Sequence, residues 1–243
     1  MKKKIKIFGI YFIDISFKEL SKKFNKGVTI MLPAAPNLIN VYKDKYYRDA
    51  LMKSDYNLFD SGYLCLLLRI FKRIKVKKFS GAKFMKKFLE FISKKNYKIL
   101  LINPNLEHNK INAQLLKSSG IKKSYGYIAP IYKDKIIKDQ KLLRFIRDIK
   151  PKFIMINIGG GIQEILATYI RENIKFKSTI LCTGAAIAFM TGKQARVPNI
   201  VDKFYLGWLS RILFSPRLYF FRYLNSFKLK NLILKDKSKV MNK

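Results

Sequence analysis

The sequence predicts an α/β protein: a mostly parallel sheet with helices on both faces, followed by a C-terminal amphipathic helical appendage. Three observations lead there. Short apolar runs alternate with amphipathic ones along most of the chain, the pattern of parallel strands joined by crossover helices. Glycines and small residues mark several strand-to-helix junctions. From about residue 204 the alternation gives way to aromatic and cationic sequence.

Taken in order, residues 4–14 read as strand material. Ser16 and Glu19 have capping-box spacing, and Phe17, Leu20 and Phe24 predict a short amphipathic helix. Residues 27–32 are a buried strand, and the Pro-Ala-Ala-Pro-Asn run at 33–37 is a loop. A helix is expected over 38–52, where Leu38, Val41, Tyr42 and Leu51 are apolar. The next strand ends in Asp60, and Ser61 and Gly62 lead into a helix over 63–72. A basic connection at 73–79 reaches Ser80 and Gly81, before a helix over 82–93. Residues 97–102 are a strand, 110–118 a helix, 124–128 a weaker strand and 138–149 a helix closed by Pro151. The run 152–158 is the clearest buried strand, and glycines 159–161 turn it into a helix over 162–172. A strand over 178–182 turns at Thr183 and Gly184 into a helix over 185–190. The expected architecture is Rossmann-like, with a core over 1–200 and a basic aromatic appendage over 201–243. The appendage is expected to lie near a membrane and to be placed to close over a site.

Charge narrows the partners. The 51 basic residues against 15 acidic ones give a formal net charge of +36, which attracts nucleic acid, anionic headgroups or pyrophosphates. The lysines are spread along the whole chain, so a lysine-coated solvated surface explains them as well. Cys65 and Cys182 stand far apart in apolar contexts, and no CxxC or His-rich spacing suggests zinc. The single histidine, His108, has no partner in the sequence and reads as structural or surface. No uncharged apolar run reaches the length of a membrane span. The apolar stretch near the N-terminus is bracketed by Lys6 and Asp14 and reads as a first strand, not a signal peptide.

Four constellations could carry chemistry. Asp60 falls at the carboxyl end of a strand, where open α/β sheets bind ligands. It reads as a base, a sugar-hydroxyl ligand or a cap for the following helix. Gly159, Gly160 and Gly161, with Gln163 and Glu164 behind them, form a turn whose amides suit a phosphate, or simply a tight turn. Lys78 precedes another helix start, as a phosphate cation or one more solvated lysine. Thr183 and Gly184 open a helix of small residues, either for ligand approach or for packing on the sheet. The late segment carries Arg211, Arg217 and Arg222 among aromatics, which suits an anionic bilayer surface or a helical pair packed on the core.

In their joint order these motifs resemble the WecG/TagA/CpsF glycosyltransferases of bacterial surface polysaccharide and wall teichoic acid synthesis. The order runs from the Pro/Asn loop through Asp60-Ser61-Gly62, Lys78-Phe-Ser-Gly81, Gly159-Gly-Gly-Ile-Gln-Glu164 and Thr183-Gly-Ala-Ala-Ile-Ala-Phe-Met-Thr-Gly192. It closes with Ala195-Arg196-Val-Pro198 and Leu206-Gly-Trp-Leu-Ser-Arg211, then Pro216-Arg217. The resemblance covers roughly residues 5–225. It implies an inverting, metal-independent transferase that uses no cofactor. Its donor would be a UDP-sugar of N-acetylhexosamine type, and its acceptor a polyprenyl-diphosphate-linked sugar at the inner face of the membrane. It casts Asp60 as the base and Gln163 as its catalytic companion. Asn37, Lys78, Gly160, Gly161, Glu164, Thr183, Gly184, Arg196, Arg211, Arg217 and Arg222 become substrate-binding residues. The chain departs from the pattern in several places. Ser61 intervenes before Gly62, the family's loop threonine has no clear match beside Asn37, Gly161-Ile162 replaces Pro-Lys, and Lys78 replaces an arginine.

The implied partners are the donor, the lipid-linked acceptor and an anionic membrane surface. A homo-oligomer is compatible with the sequence, and no specific nucleic acid is expected. Two competing readings stay open: a non-catalytic basic module that binds membrane or nucleic acid, and a degenerate transferase.

Overall fold

The computed structural model describes residues 3–191, 205, 207–214, 216–237 and 239–242. One nine-stranded sheet organises them, in the order β6-β5-β7-β8-β3-β4-β2-β1-β9. The strands are β1 (Lys3–Ile7), β2 (Ile10–Asp14), β3 (Thr29–Met31), β4 (Tyr56–Leu58), β5 (Ile99–Asn103), β6 (Ser124–Ile128), β7 (Phe153–Ile156), β8 (Thr179–Cys182) and β9 (Lys239–Asn242). From β6 through β2 every neighbouring pair is parallel; β1 pairs antiparallel with both β2 and β9.

Alternation along the strands builds two cores. Leu100, Ile102, Ile154 and Ile156 point into one buried cluster, and Ile99, Leu101, Phe153 and Met155 into the other. The first face is covered by α3 (Lys45–Lys53), α4 (Gly62–Phe71), α7 (Gln140–Ile149) and α8 (Ile162–Asn173). The second is covered by α1 (Phe17–Ser21), α5 (Gly81–Ser93) and α6 (Leu106–Ser118). This is the predicted Rossmann-like α/β sheet, with helices on both faces.

Local structure departs from the sequence reading where turn chemistry intervenes. Residues 4–14 are a hairpin, because Phe8 and Gly9 take left-handed backbone at φ 56° and 79°. The Pro-rich loop coils into a short helix, α2 (Ala35–Leu38), with Pro36 in its first turn. The expected 38–52 helix breaks there and restarts as α3, because the Asp44 carboxylate caps it by accepting from the Tyr47 amide at 3.1 Å. Asn105 caps α6 from four residues earlier than expected and accepts from the His108 amide at 2.9 Å. The expected 185–190 helix is a 3₁₀ helix, Gly184–Phe189.

The late sequence forms α9 (Gly207–Phe214), α10 (Pro216–Ser226) and α11 (Lys228–Lys235), then returns to the sheet as β9. The indole of Trp208 meets the rings of Tyr63, Phe227 and Tyr223 at centroid distances of 6.0, 6.1 and 6.2 Å, which fastens these helices to α4. Leu229 and Ile233 of α11 are fully buried in the main core. Beyond α11, the Asp236 carboxylate accepts from the Phe8 amide at 2.9 Å. Among the described residues, no helix is long and apolar enough to cross a membrane.

Candidate active site

A parallel sheet points the carboxyl ends of its strands at one edge, and the backbone leaves each strand there. In this chain that edge receives Asn103 from β5, Asn157 and the glycine turn from β7, Thr183 from β8, the α2 segment from β3 and Asp60 from β4. β7, β8, β3 and β4 are consecutive neighbours, so the candidate residues they carry share one rim.

Asp60 does not cap the helix that follows it. Ser61 does, its hydroxyl accepting from the Leu64 amide at 3.2 Å. The half-buried Asp60 side chain reaches across to α5, where Oδ1 accepts from the Gly81 amide at 2.7 Å. Ser80, the residue preceding α5, makes no side-chain cap, so the distant carboxylate takes over that helix end. Gly81 is small for this reason. A Cβ there would stand 3.2 Å from Asp60 Oδ1 and 3.1 Å from the Ala186 methyl.

The 3₁₀ helix carries the contact onward. Gly184 turns at φ 47°, and a Cβ on it would lie 3.2 Å from the Gln163 amide group. The 3₁₀ helix thus lies near Gln163 at Gly184 and near Gly81, the partner of Asp60, at Ala186. Behind the 3₁₀ helix, Thr183 Oγ1 donates to Asn157 Oδ1 at 2.7 Å, and Asn157 Nδ2 donates to Asn103 Oδ1 at 2.9 Å. Asn112 of α6 donates to the same Asn103 oxygen at 2.7 Å. This buried ladder ties the ends of β5, β7 and β8 into one rigid floor.

The glycine turn is occupied by the protein's own groups. The Gly161 amide donates to Glu164 Oε2 at 2.6 Å, and Gln163 Nε2 donates to Glu164 Oε1 at 3.0 Å. Gly161 needs its freedom, with φ at 95°. The Asn37 side chain lies directly over Gly160, where any Cβ would collide with its Nδ2. Of the two amides expected to meet a phosphate, that of Gly161 already has an internal partner. Gly161 spends its amide on Glu164, and the face of Gly160 is covered by Asn37.

Glu164 is fully buried, and burial pushes its carboxyl up to about 7 against the pull of its hydrogen bonds from Gly161 and Gln163. Tyr47 of α3 and the Cys182 thiol are buried nearby, and Glu164 raises both further after burial itself. Gln163 is 5% exposed, and its Oε1 has no hydrogen-bond partner among the described residues. A buried acceptor of this kind is costly unless a ligand donates to it.

A family model described as the glycosyl transferase WecG/TagA/CpsF family matches residues 5–242. The chain belongs to this family. No curated protein matches it.

As a WecG/TagA/CpsF glycosyltransferase, the chain brings Asn37, Asp60, Gly160, Gly161, Gln163, Glu164, Thr183 and Gly184 to the carboxyl rim of its sheet. Lys78 is half-buried beside the same rim, one residue before Phe79, whose amide donates to the Phe59 carbonyl at 2.7 Å. Arg217 is exposed in the first turn of α10. Arg211 and Arg222 lie on α9 and α10 with side chains outside the described residues, as is the whole of Arg196. The ladder of Asn103, Asn112 and Asn157 was not singled out by sequence reasoning. Its signal was polar residues closing two apolar strands, at Asn103 and Asn157.

Proposed function

We propose that this glycosyltransferase is inverting and metal-independent. It moves an N-acetylhexosamine-type sugar from a UDP-sugar to a polyprenyl-diphosphate-linked acceptor in bacterial surface polysaccharide synthesis. One observation carries the reading: the half-buried Asp60 carboxylate stands at the sheet rim, bound to Gly81, and the neighbouring 3₁₀ helix lies near Gly81 at Ala186 and near the Gln163 amide at Gly184.

The chemistry is a single displacement. The acceptor hydroxyl oxygen attacks the anomeric carbon from the face opposite the diphosphate, and Asp60 takes the hydroxyl proton. The bond from the anomeric carbon to the phosphate oxygen breaks, and UDP leaves with the electron pair. One displacement inverts the anomeric centre. General-base help of this kind is worth about 10²–10⁴-fold. Gln163 presents an amide to the donor sugar, and its Oε1, unpartnered among the described residues, suits a sugar hydroxyl. Thr183 and Gly184 border the same space. The chain has no DxD motif, so cations are assigned to the departing diphosphate: Lys78, Arg196, Arg211, Arg217 and Arg222.

The membrane side of the proposal rests on α10. Tyr223 and Ser226 face inward, whereas Phe220, Phe221 and Leu224 are exposed and share the helix with Arg217. Apolar side chains beside a cation suit the headgroup boundary of an anionic bilayer. The test has two parts. UDP should raise the melting temperature, and UDP-N-acetylhexosamine with a polyprenyl-diphosphate-sugar should give a β- or α-inverted product. A protein stabilised only by nucleic acid or by lipid, with no transfer, would instead be a non-catalytic binding module.

A further inference from the structure

A cleft lies beside the rim and shares Asn37 with it. It opens between α2 and the junction of α10 with α11, and holds about 450 Å³. That volume is in the range of small-molecule sites, roughly 300–1,000 Å³. Asn37, Asn40, Asn225 and Lys228 line it, with Pro36 and Ile39. We propose that this cleft is the acceptor subsite, where the Lys228 ammonium and the three asparagine amides hold the sugar-diphosphate head of the lipid-linked acceptor. The inference rests on the transferase reading above and adds the place of its second substrate.

Lining chemistry selects the class of ligand. Three amides both donate to and accept from hydroxyls, which suits a sugar. Among the described lining residues Lys228 is the one cation and none is a carboxylate, which suits a phosphate. Asn225 Oδ1 accepts from Lys228 Nζ at 3.1 Å, which holds the ammonium against the cleft wall.

Position selects the substrate. Asn37 belongs to the cleft and also lies over Gly160, so one wall of the cleft is shared with the glycine turn of the reacting rim. The opposite wall is the end of α10, whose exposed Phe220, Phe221 and Leu224 continue away from the rim. A head group in the cleft would have its sugar at the rim and its lipid along that apolar face. A nucleotide-sugar has the same diphosphate chemistry but no use for the apolar face.

Kinetics with each substrate varied in turn separates the two sources of diphosphate. Lys228→Ala and Asn40→Ala should each raise the acceptor KM, Lys228→Ala by about tenfold for one lost charge-assisted contact, with the donor KM unchanged. A rise in the donor KM alone, or in neither, overturns the subsite. Vesicles carrying polyprenyl diphosphate, compared with matched vesicles of anionic phospholipid alone, give a readout that needs no turnover. Lys228→Ala should lose the extra binding that the diphosphate lipid confers. Retention of that binding overturns the subsite whatever the turnover. Loss of it in a wild-type background that transfers no sugar from any UDP donor supports the subsite and sinks the donor assignment instead.

Discussion

Asp60 holds a helix end and, on the proposed mechanism, takes a proton. The two roles can be separated because they use the carboxylate differently. The Gly81 amide needs only an acceptor oxygen at 2.7 Å, and an asparagine supplies one. A base needs a group that binds a proton, and an amide does not. Asp60→Asn should therefore leave the melting temperature close to wild type and lower kcat by about 10²–10⁴-fold. Near-normal turnover would remove Asp60 from the chemistry. Asp60→Ala should in addition cost about 1 kcal/mol of stability, because the first amide of α5 loses its partner. The rim position of this aspartate was legible from the sequence. Its partner was not: Gly81 lies 21 residues away, and only the crossover of α5 against the sheet brings the two together. Glu164 makes a second residue-scale prediction. Its carboxyl rises from 4.5 to about 7 on folding, so the folded state holds a proton that the unfolded state releases. Its contribution to stability is then largest below pH 4.5 and falls as pH rises through 7. The size is about 3 kcal/mol. Glu164→Gln should flatten stability against pH across that window, as chemical denaturation at several pH values would register. An unchanged slope would mean that Glu164 titrates normally.

At the scale of elements, the strands were the most readable part of the chain. β5, β7 and β8 lie close to their apolar runs, because a strand buried on both faces must be apolar throughout. Two features were hidden. The hairpin of β1 and β2 turns on Phe8, a bulky residue in a left-handed conformation that sequence propensity disfavours. The strand β9 is a short run, Lys-Val-Met-Asn, and its identity comes from pairing with β1 at the far end of the chain. The start of α4 gives the element-scale prediction. A Cβ on Gly62 would come within 2.6 Å of the Tyr205 carbonyl oxygen, and the Tyr205 hydroxyl donates to the Val76 carbonyl at 3.2 Å. Tyr205 is thus held between α4 and the connection to α5. Gly62→Ala should push it away, at a cost of about 1–3 kcal/mol. Limited proteolysis should then cut near residue 205 faster than in the wild type. Equal cleavage rates and an unchanged melting temperature would show that the backbone there yields without strain.

For the whole molecule, the proposed membrane attachment would draw on two separable contributions, net charge and the apolar face of α10. The charge of +36 acts at a distance and is screened, since the Debye length falls from about 10 Å at 0.1 M salt to about 3 Å at 1 M. Phe220 and Phe221 are 49% and 69% exposed, and their insertion into the headgroup boundary would be driven by apolar burial, which salt does not screen. The sequence alone left the late segment divided between a membrane surface and a packed helical pair. The structure shows the packed arrangement, with Tyr223 beside Trp208, and leaves the two phenylalanines of the same helix exposed, as the proposed membrane contact requires. Sedimentation with anionic vesicles can separate the contributions. The wild type should bind strongly at low salt and retain a weaker, salt-resistant component at high salt. Phe220→Ser combined with Phe221→Ser should keep most of the low-salt binding and reduce the high-salt component by about tenfold or more. The pair of substitutions touches no group of the sheet rim, so transfer to a water-soluble, short-chain acceptor should persist while transfer to a membrane-borne one falls. A double variant with undiminished high-salt binding would assign membrane attachment to charge alone and leave the exposed phenylalanines without that role.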